Sequence, residues 1–168
     1  MGYTYGQEGI SLSNTDYVMI QRQLQSLLEG ETHWLANLAN TSALLFSELR
    51  DVNWVGFYLC EGSELVLGPF QGKPACVRIP LGKGVCGTAA DQRRVIVVPD
   101  VHEFPGHIAC DASSRSEVVI PMIIPDGTLV GVLDVDSPVL HRFTDEDASG
   151  CSAVVDILMG ACHWPATA

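Results

Sequence analysis

Chemistry is most concentrated between Val101 and Arg115, where His102, Glu103, His107 and Asp111 surround a single cysteine, Cys110. The run also holds Pro105 and Gly106 and has neither helical nor alternating apolar periodicity. It is therefore expected to be a long loop carried by the apolar segments on either side. A loop longer than about 12 residues inside a compact domain is usually functional or disordered. A thiol among titratable neighbours on such a loop is a candidate nucleophile, because the thiolate is the reactive form and its surroundings set its proton affinity. The plainer alternative is a cysteine that only packs.

Acidic residues gather where this loop ends. Asp126-Gly127 is a turn dipeptide between two apolar segments, Glu117 to Ile124 and Thr128 to Asp136, which should pair as a hairpin. In a hairpin symmetric about that dipeptide, paired residue numbers sum to 253. Glu117 then lies opposite Asp136, and Val119 opposite Asp134. Cross-strand partners share a face, as do residues two apart on one strand. Glu117, Asp134 and Asp136 are thus expected on one face, at the end of two central strands, just after Arg115-Ser116. Like-charge crowding and burial would raise the proton affinity of at least one of them, leaving a proton donor near neutrality. Two other readings stay open: carboxylates that only satisfy backbone amides at a strand end, or hard oxygen ligands for a cation.

The chain has six cysteines, Cys60, Cys76, Cys86, Cys110, Cys151 and Cys162. A thiol beside a proton donor, with other thiols available, suggests redox chemistry on sulfur. The thiolate attacks an electrophilic sulfur, the leaving oxygen is protonated, and the resulting sulfenic acid condenses with a second cysteine. Cys76 and Cys86 precede Cys110 by 34 and 24 residues and are expected in loops, so both are candidate partners. Cys60 on a strand, and Cys151 and Cys162 on the last helix, read as core packing. No C-x-x-C pair occurs, so a structural zinc site is not expected.

These side chains need a scaffold. Residues 1–15 are expected to form a flexible tail and 16–168 a single domain. Apolar residues from Asp16 to Glu29, and again from Thr32 to Leu49, recur at helical spacing. The period then changes. Asn53 to Leu59 and Glu64 to Phe70 read as a hairpin about Glu61-Gly62-Ser63, and Val77 to Pro80 as a short strand. Gly82 to Ala90 is a glycine-rich entry to a short helix, and Val95 to Val98 is a strand. Thr144, followed by three acidic residues, starts a final helix reaching about Cys162. Helices at the ends and five or six antiparallel strands between them indicate an α+β domain, one sheet covered by helices.

Composition narrows the function. The 168 residues are 47% apolar and 17% charged, with a mean hydropathy of +0.22, as suits one compact core. A net charge of −11 argues against nucleic acid and anionic membrane surfaces as partners. No signal-peptide pattern and no apolar run of about 20 residues is visible. Reduced thiols in the cytoplasm are the expectation.

Several longer motifs then stand in order: Gly-Pro-Phe-Gln-Gly (68–72), Ala-Cys-Val-Arg-Ile-Pro (75–80), Gly-Lys-Gly-Val-Cys-Gly (82–87), Asp-Val-His-Glu-Phe-Pro-Gly-His-Ile-Ala-Cys-Asp (100–111), Ser-Arg-Ser-Glu (114–117) and Gly-Val-Leu-Asp-Val-Asp-Ser (131–137). From about Glu31 to the final helix they resemble the free methionine-(R)-sulfoxide reductases, which are built on a GAF domain. The resemblance implies a mostly antiparallel sheet of about six strands with helices packed on one face. It implies Cys110 as nucleophile, Cys76 as resolving thiol and Cys86 as a further member of the redox set. Glu117, Asp134 and Asp136 match the carboxylates that hold substrate and assist proton transfer. Trp54 matches the aromatic against the substrate's methyl group, and Tyr58, on the same strand face, is a further pocket residue. It also implies free methionine (R)-sulfoxide as substrate, no bound cofactor, thioredoxin as external reductant, and a homodimer. His107 is left outside the catalytic set and is expected to order the loop or tune the thiol. The competing readings are a GAF module that binds a small molecule, and a thiol redox sensor.

Overall fold

The computed structural model describes residues 15–166. Two helices, α1 (Tyr17–Leu28) and α2 (Trp34–Glu48), are followed by strands β1 (Trp54–Glu61), β2 (Glu64–Gly72) and β3 (Arg78–Pro80). Helix α3 (Gly84–Gln92), strand β4 (Ile96–Val98), strands β5 (Ser116–Ile123) and β6 (Leu129–Ser137), and helix α4 (Asp145–Ala161) complete the chain. The expected tail at 1–15 falls outside the described residues except for Thr15.

The six strands form one antiparallel sheet in the order β3-β2-β1-β6-β5-β4. The alternation of side chains along each strand sorts them into two layers. Val55 and Phe57 of β1, Val118 and Ile120 of β5, and Leu133 and Val135 of β6 meet α1, α2 and α4 in the larger core. Trp54, Tyr58, Val119 and Val132 face the other way and meet Ile79, Val85, Ala89 and Ile96. Three long helices thus cover one face, as expected. The short helix α3 and the loops at both sheet edges cover the second face. Strand β5 is interior and buried on both sides, but the two middle strands are β1 and β6.

The β5–β6 register is the expected one where it matters. Glu117 pairs with Asp136, and Val119 with Asp134. The turn differs from the two-residue form. Ile124 N–H donates to Thr128 O, so Pro125, Asp126 and Gly127 all lie in the loop, with Gly127 at φ +90°. A bulge between Met122 and Ile123 absorbs the one-residue offset, and beyond it the paired numbers sum to 253 again. Residue Pro125 explains the difference: it has no N–H to give to a tight two-residue hairpin.

Helix α4 begins with a capping box, in which the Thr144 side chain accepts from Asp147 N–H and the Asp147 carboxylate accepts from Thr144 N–H. The same buried carboxylate pairs with Arg142 at 3.1 Å and accepts from the Tyr17 hydroxyl at 2.8 Å. One side chain therefore fixes the start of α4, the end of the β6–α4 connection and the start of α1.

Candidate active site

Each strand contributes to the second face by its alternation. On β1, Trp54 is 2% exposed and stacks between Tyr58 and Phe70, with ring centroids 5.8 and 5.2 Å away. Its indole N–H donates to Lys73 O at 3.1 Å, so the ring is fixed at one edge. The intervening Gly56 makes room for this: a Cβ there would lie 2.6 Å from the indole. Tyr58 donates its hydroxyl to Cys76 O at 2.9 Å and so holds the β2–β3 connection over the sheet.

The carboxylates lie on the same face as the indole: Asp136 pairs with Trp54 between β1 and β6, and with Glu117 between β6 and β5. Glu117 is 5% and Asp134 6% exposed, and Asp136 is half-buried beside them. Trp54, Tyr58, Glu117, Asp134 and Asp136 line one cavity. Cys86 and Cys110 line it as well. Cys86 lies in the first turn of α3 rather than in a loop, and it is buried. The glycine-rich entry was expected to extend further. Instead Gly84, at φ +60°, turns the chain directly into the helix, and a Cβ there would lie 3.1 Å from Ile108 of the Cys110 loop. The Cys86 thiol donates to Glu117 Oε1 at 3.8 Å.

Cys76 and Cys110 are joined by a disulfide with a Cα–Cα separation of 5.4 Å. Of the three candidate redox cysteines, these two are therefore paired and Cys86 is free. Cys60, Cys151 and Cys162 are free too, the last two buried in the larger core.

The electrostatics follow from burial without counter-charge. No lysine or arginine lines the cavity, and its one basic side chain is His107. Burial pushes the Glu117 carboxyl well above the usual carboxylate range, and the neighbouring Asp134 and Asp136 push it further. Asp136 is raised for the same reasons, burial first and then Asp134 and Asp111. Asp134 is pushed up to about 6 by burial, partly offset by hydrogen bonding toward Cys86 and Glu117. Burial and the three carboxylates together push the Cys86 thiol well up, so it stays protonated. The cluster holds protons near neutrality and would welcome a cation.

Two features of the site were not read from the sequence. Asn53 donates through Nδ2 to Ser113 and Ser114 Oγ, both at 3.1 Å, and anchors the chain just after Cys110 to the start of β1. Only its position next to Trp54 hinted at this. The first turn of α3 also lines the cavity with Gly84, Val85 and Cys86, and its N-cap, Lys83, gives no side-chain cap. Uncapped amides at a helix N-terminus favour an anion. His107 is half-buried at the cavity wall, with Nδ1 lacking a partner, and burial lowers its proton affinity.

Comparison with known proteins gives the family and the fold. The GAF domain family matches residues 11–161. The chain is 57% identical over 139 residues to the free methionine-R-sulfoxide reductase of Escherichia coli (strain K12), covering 83% of this chain and 84% of that one. It superposes with a TM-score of 0.85 on the fRMsr of Staphylococcus aureus in complex with substrate, at 52% identity, covering 90% of this chain and 99% of that one. Free methionine-R-sulfoxide reductase from Neisseria meningitidis, also in complex with its substrate, gives a TM-score of 0.84 at 42% identity, with coverages of 96% and 95%.

Proposed function

Because the chain belongs to the free methionine-R-sulfoxide reductases, GAF-domain oxidoreductases acting on sulfur, we propose that it reduces free L-methionine (R)-sulfoxide to L-methionine through Cys110. The observation that carries the assignment of roles is the Cys76–Cys110 disulfide at the wall of a cavity that holds three proton-retaining carboxylates, two of them buried.

The substrate is a zwitterion with a polar sulfoxide and an apolar methyl group. Its methyl group rests on Trp54, with Tyr58 beside it. Its ammonium faces the acidic cluster, and its carboxylate meets the uncapped first turn of α3. The Cys110 thiolate attacks the sulfoxide sulfur while a carboxylic acid of the Glu117, Asp134 and Asp136 set protonates the oxygen. Methionine leaves, and Cys110 becomes a sulfenic acid. Cys76 then attacks the Cys110 sulfur, releasing water and forming the disulfide. A thioredoxin dithiol reduces that disulfide and restores both thiols, which suits a cytoplasmic enzyme with no bound cofactor. Cys86, protonated against Glu117, is a poor attacking thiol in this arrangement, so Cys76 resolves first.

Homodimerisation is proposed on the family's pattern. Val18, Met19, Leu27, Leu35 and Phe46 leave apolar side chains exposed on α1 and α2, and sedimentation equilibrium reads the mass directly. For the reaction, the test is NADPH loss in a thioredoxin-coupled assay dependent on added free methionine (R)-sulfoxide. Cys110→Ser should abolish it; a variant that still turned over would overturn the assignment. Cys76→Ser should keep one methionine released per protein in a single turnover and lose thioredoxin-driven cycling. Unchanged cycling would move the resolving role to Cys86. A binding module or a redox sensor would consume no NADPH in response to the sulfoxide.

A further inference from the structure

We propose that Cys86, Glu117 and Asp134 form a site for a borderline-soft divalent cation of the Zn²⁺ class. Their donor atoms all lie within 4.8 Å of one another, and all three residues are buried. A tetrahedral zinc with a thiolate at about 2.3 Å and a carboxylate at about 2.0 Å separates sulfur from oxygen by about 3.5 Å. The Cys86 Sγ to Glu117 Oε1 distance is 3.8 Å, so that edge of the tetrahedron is nearly formed. Asp134 points the same way. It is 6% exposed, and its buried Oδ1 has no hydrogen-bond partner outside the cluster. An orphaned, buried carboxylate oxygen is costly unless something else binds it.

The donor set selects the ion. One sulfur and two carboxylates suit zinc, cadmium or cobalt, whereas magnesium and calcium prefer oxygen alone. Three protein donors leave the fourth position open, and the adjoining cavity of about 40 Å³ has room for a metal-bound water. On binding, the Cys86 thiol gives up its proton to solvent and its sulfur bonds the metal, with no change of oxidation state. No lysine or arginine at the cavity wall competes for the carboxylates. Metal and sulfoxide would exclude each other. That consequence rests on the assignment of the cavity as the substrate site; metal binding itself does not.

The disulfide form isolates the question, because it removes the Cys76 and Cys110 thiols as competing ligands. Co²⁺ titrated into the full-length oxidised protein, free of reductant, should give a sulfur-to-cobalt charge-transfer band that saturates at one equivalent and is displaced by Zn²⁺. Cys86→Ser should lose the band, and Cys60→Ser should keep it. Asp134→Asn retains the thiol and should bind Co²⁺ at least about tenfold more weakly. No band in the unaltered protein, a band that survives Cys86→Ser, or equal affinity in Asp134→Asn would each overturn the proposal. None of these readings depends on turnover, so they stand apart from the test of the sulfoxide reaction.

Discussion

At the scale of single residues, the acidic cluster trades stability for a proton. Asp134 is held at about 6 against an ordinary value near 3.8, chiefly by burial. A folded-state value above the unfolded one means that the native state binds the proton more tightly. The stability this gives is fully present below pH 4 and is lost as pH rises through 6. Asp134→Asn removes the charge that must be buried at neutral pH. It is therefore expected to raise the unfolding free energy at pH 7.5 by on the order of 1–3 kcal/mol, and the melting temperature with it, and to give no advantage at pH 4. Melting curves of both proteins from pH 4 to 8 check this; a constant offset across the range would mean that packing, not titration, separates them. The same proton bears on catalysis. If a cluster carboxylic acid protonates the sulfoxide, kcat/KM should fall on the alkaline side as that acid is lost. Glu117→Gln should lower the rate and flatten this limb.

At the scale of elements, the β5–β6 hairpin shows what alternation can and cannot reveal. The facing of Glu117, Asp134 and Asp136 was legible because the period of two is rigid along a strand. The turn is one residue longer than the Asp126-Gly127 dipeptide predicts, yet the bulge at Met122–Ile123 returns the pairing to the expected register before the carboxylates. Cys86 was harder to place. Glycine-rich composition marks a turn, but the residue at which a helix begins depends on what packs against it, here Ile108 on Gly84. The free amides of the α3 first turn and the Asn53 anchor are contacts between distant segments, which a local pattern does not contain. The α1–α4 crossing makes a similar point for the larger core. The Tyr17 ring lies against Gly150 so closely that any Cβ there would overlap it. Gly150→Ala should destabilise the fold by about 2–3 kcal/mol in a urea titration, while Tyr17→Phe, which loses the bond to Asp147, should cost about 1–2 kcal/mol. Both sites lie across the sheet from the cavity, so KM for the sulfoxide should not move in either variant.

At the scale of the whole molecule, the disulfide ties opposite edges of the sheet. Cys76 lies between β2 and β3 at one edge, and Cys110 lies between β4 and β5 at the other. The 34-residue separation encloses β3, α3 and β4, which are both edge strands and the helix over the cavity. Closing a loop of that length restricts the unfolded chain by about 3–4 kcal/mol in the entropic account. For a chain of this size, reduction should then lower the melting temperature by on the order of 10 °C. The loss should be local before it is global. Edge strands of three residues have few ladder bonds of their own, whereas β1 and β6 are paired on both sides and sealed by the larger core. In hydrogen exchange, reduction should speed the amides of β3, α3, β4 and the Cys110 loop and leave those of β1, β6 and α4 unchanged. Cys110→Ser should exchange like the reduced protein and ignore the reductant. Uniform acceleration across the sheet would show that the disulfide braces the whole fold, and the cavity's roof would then have no separate freedom to open for substrate.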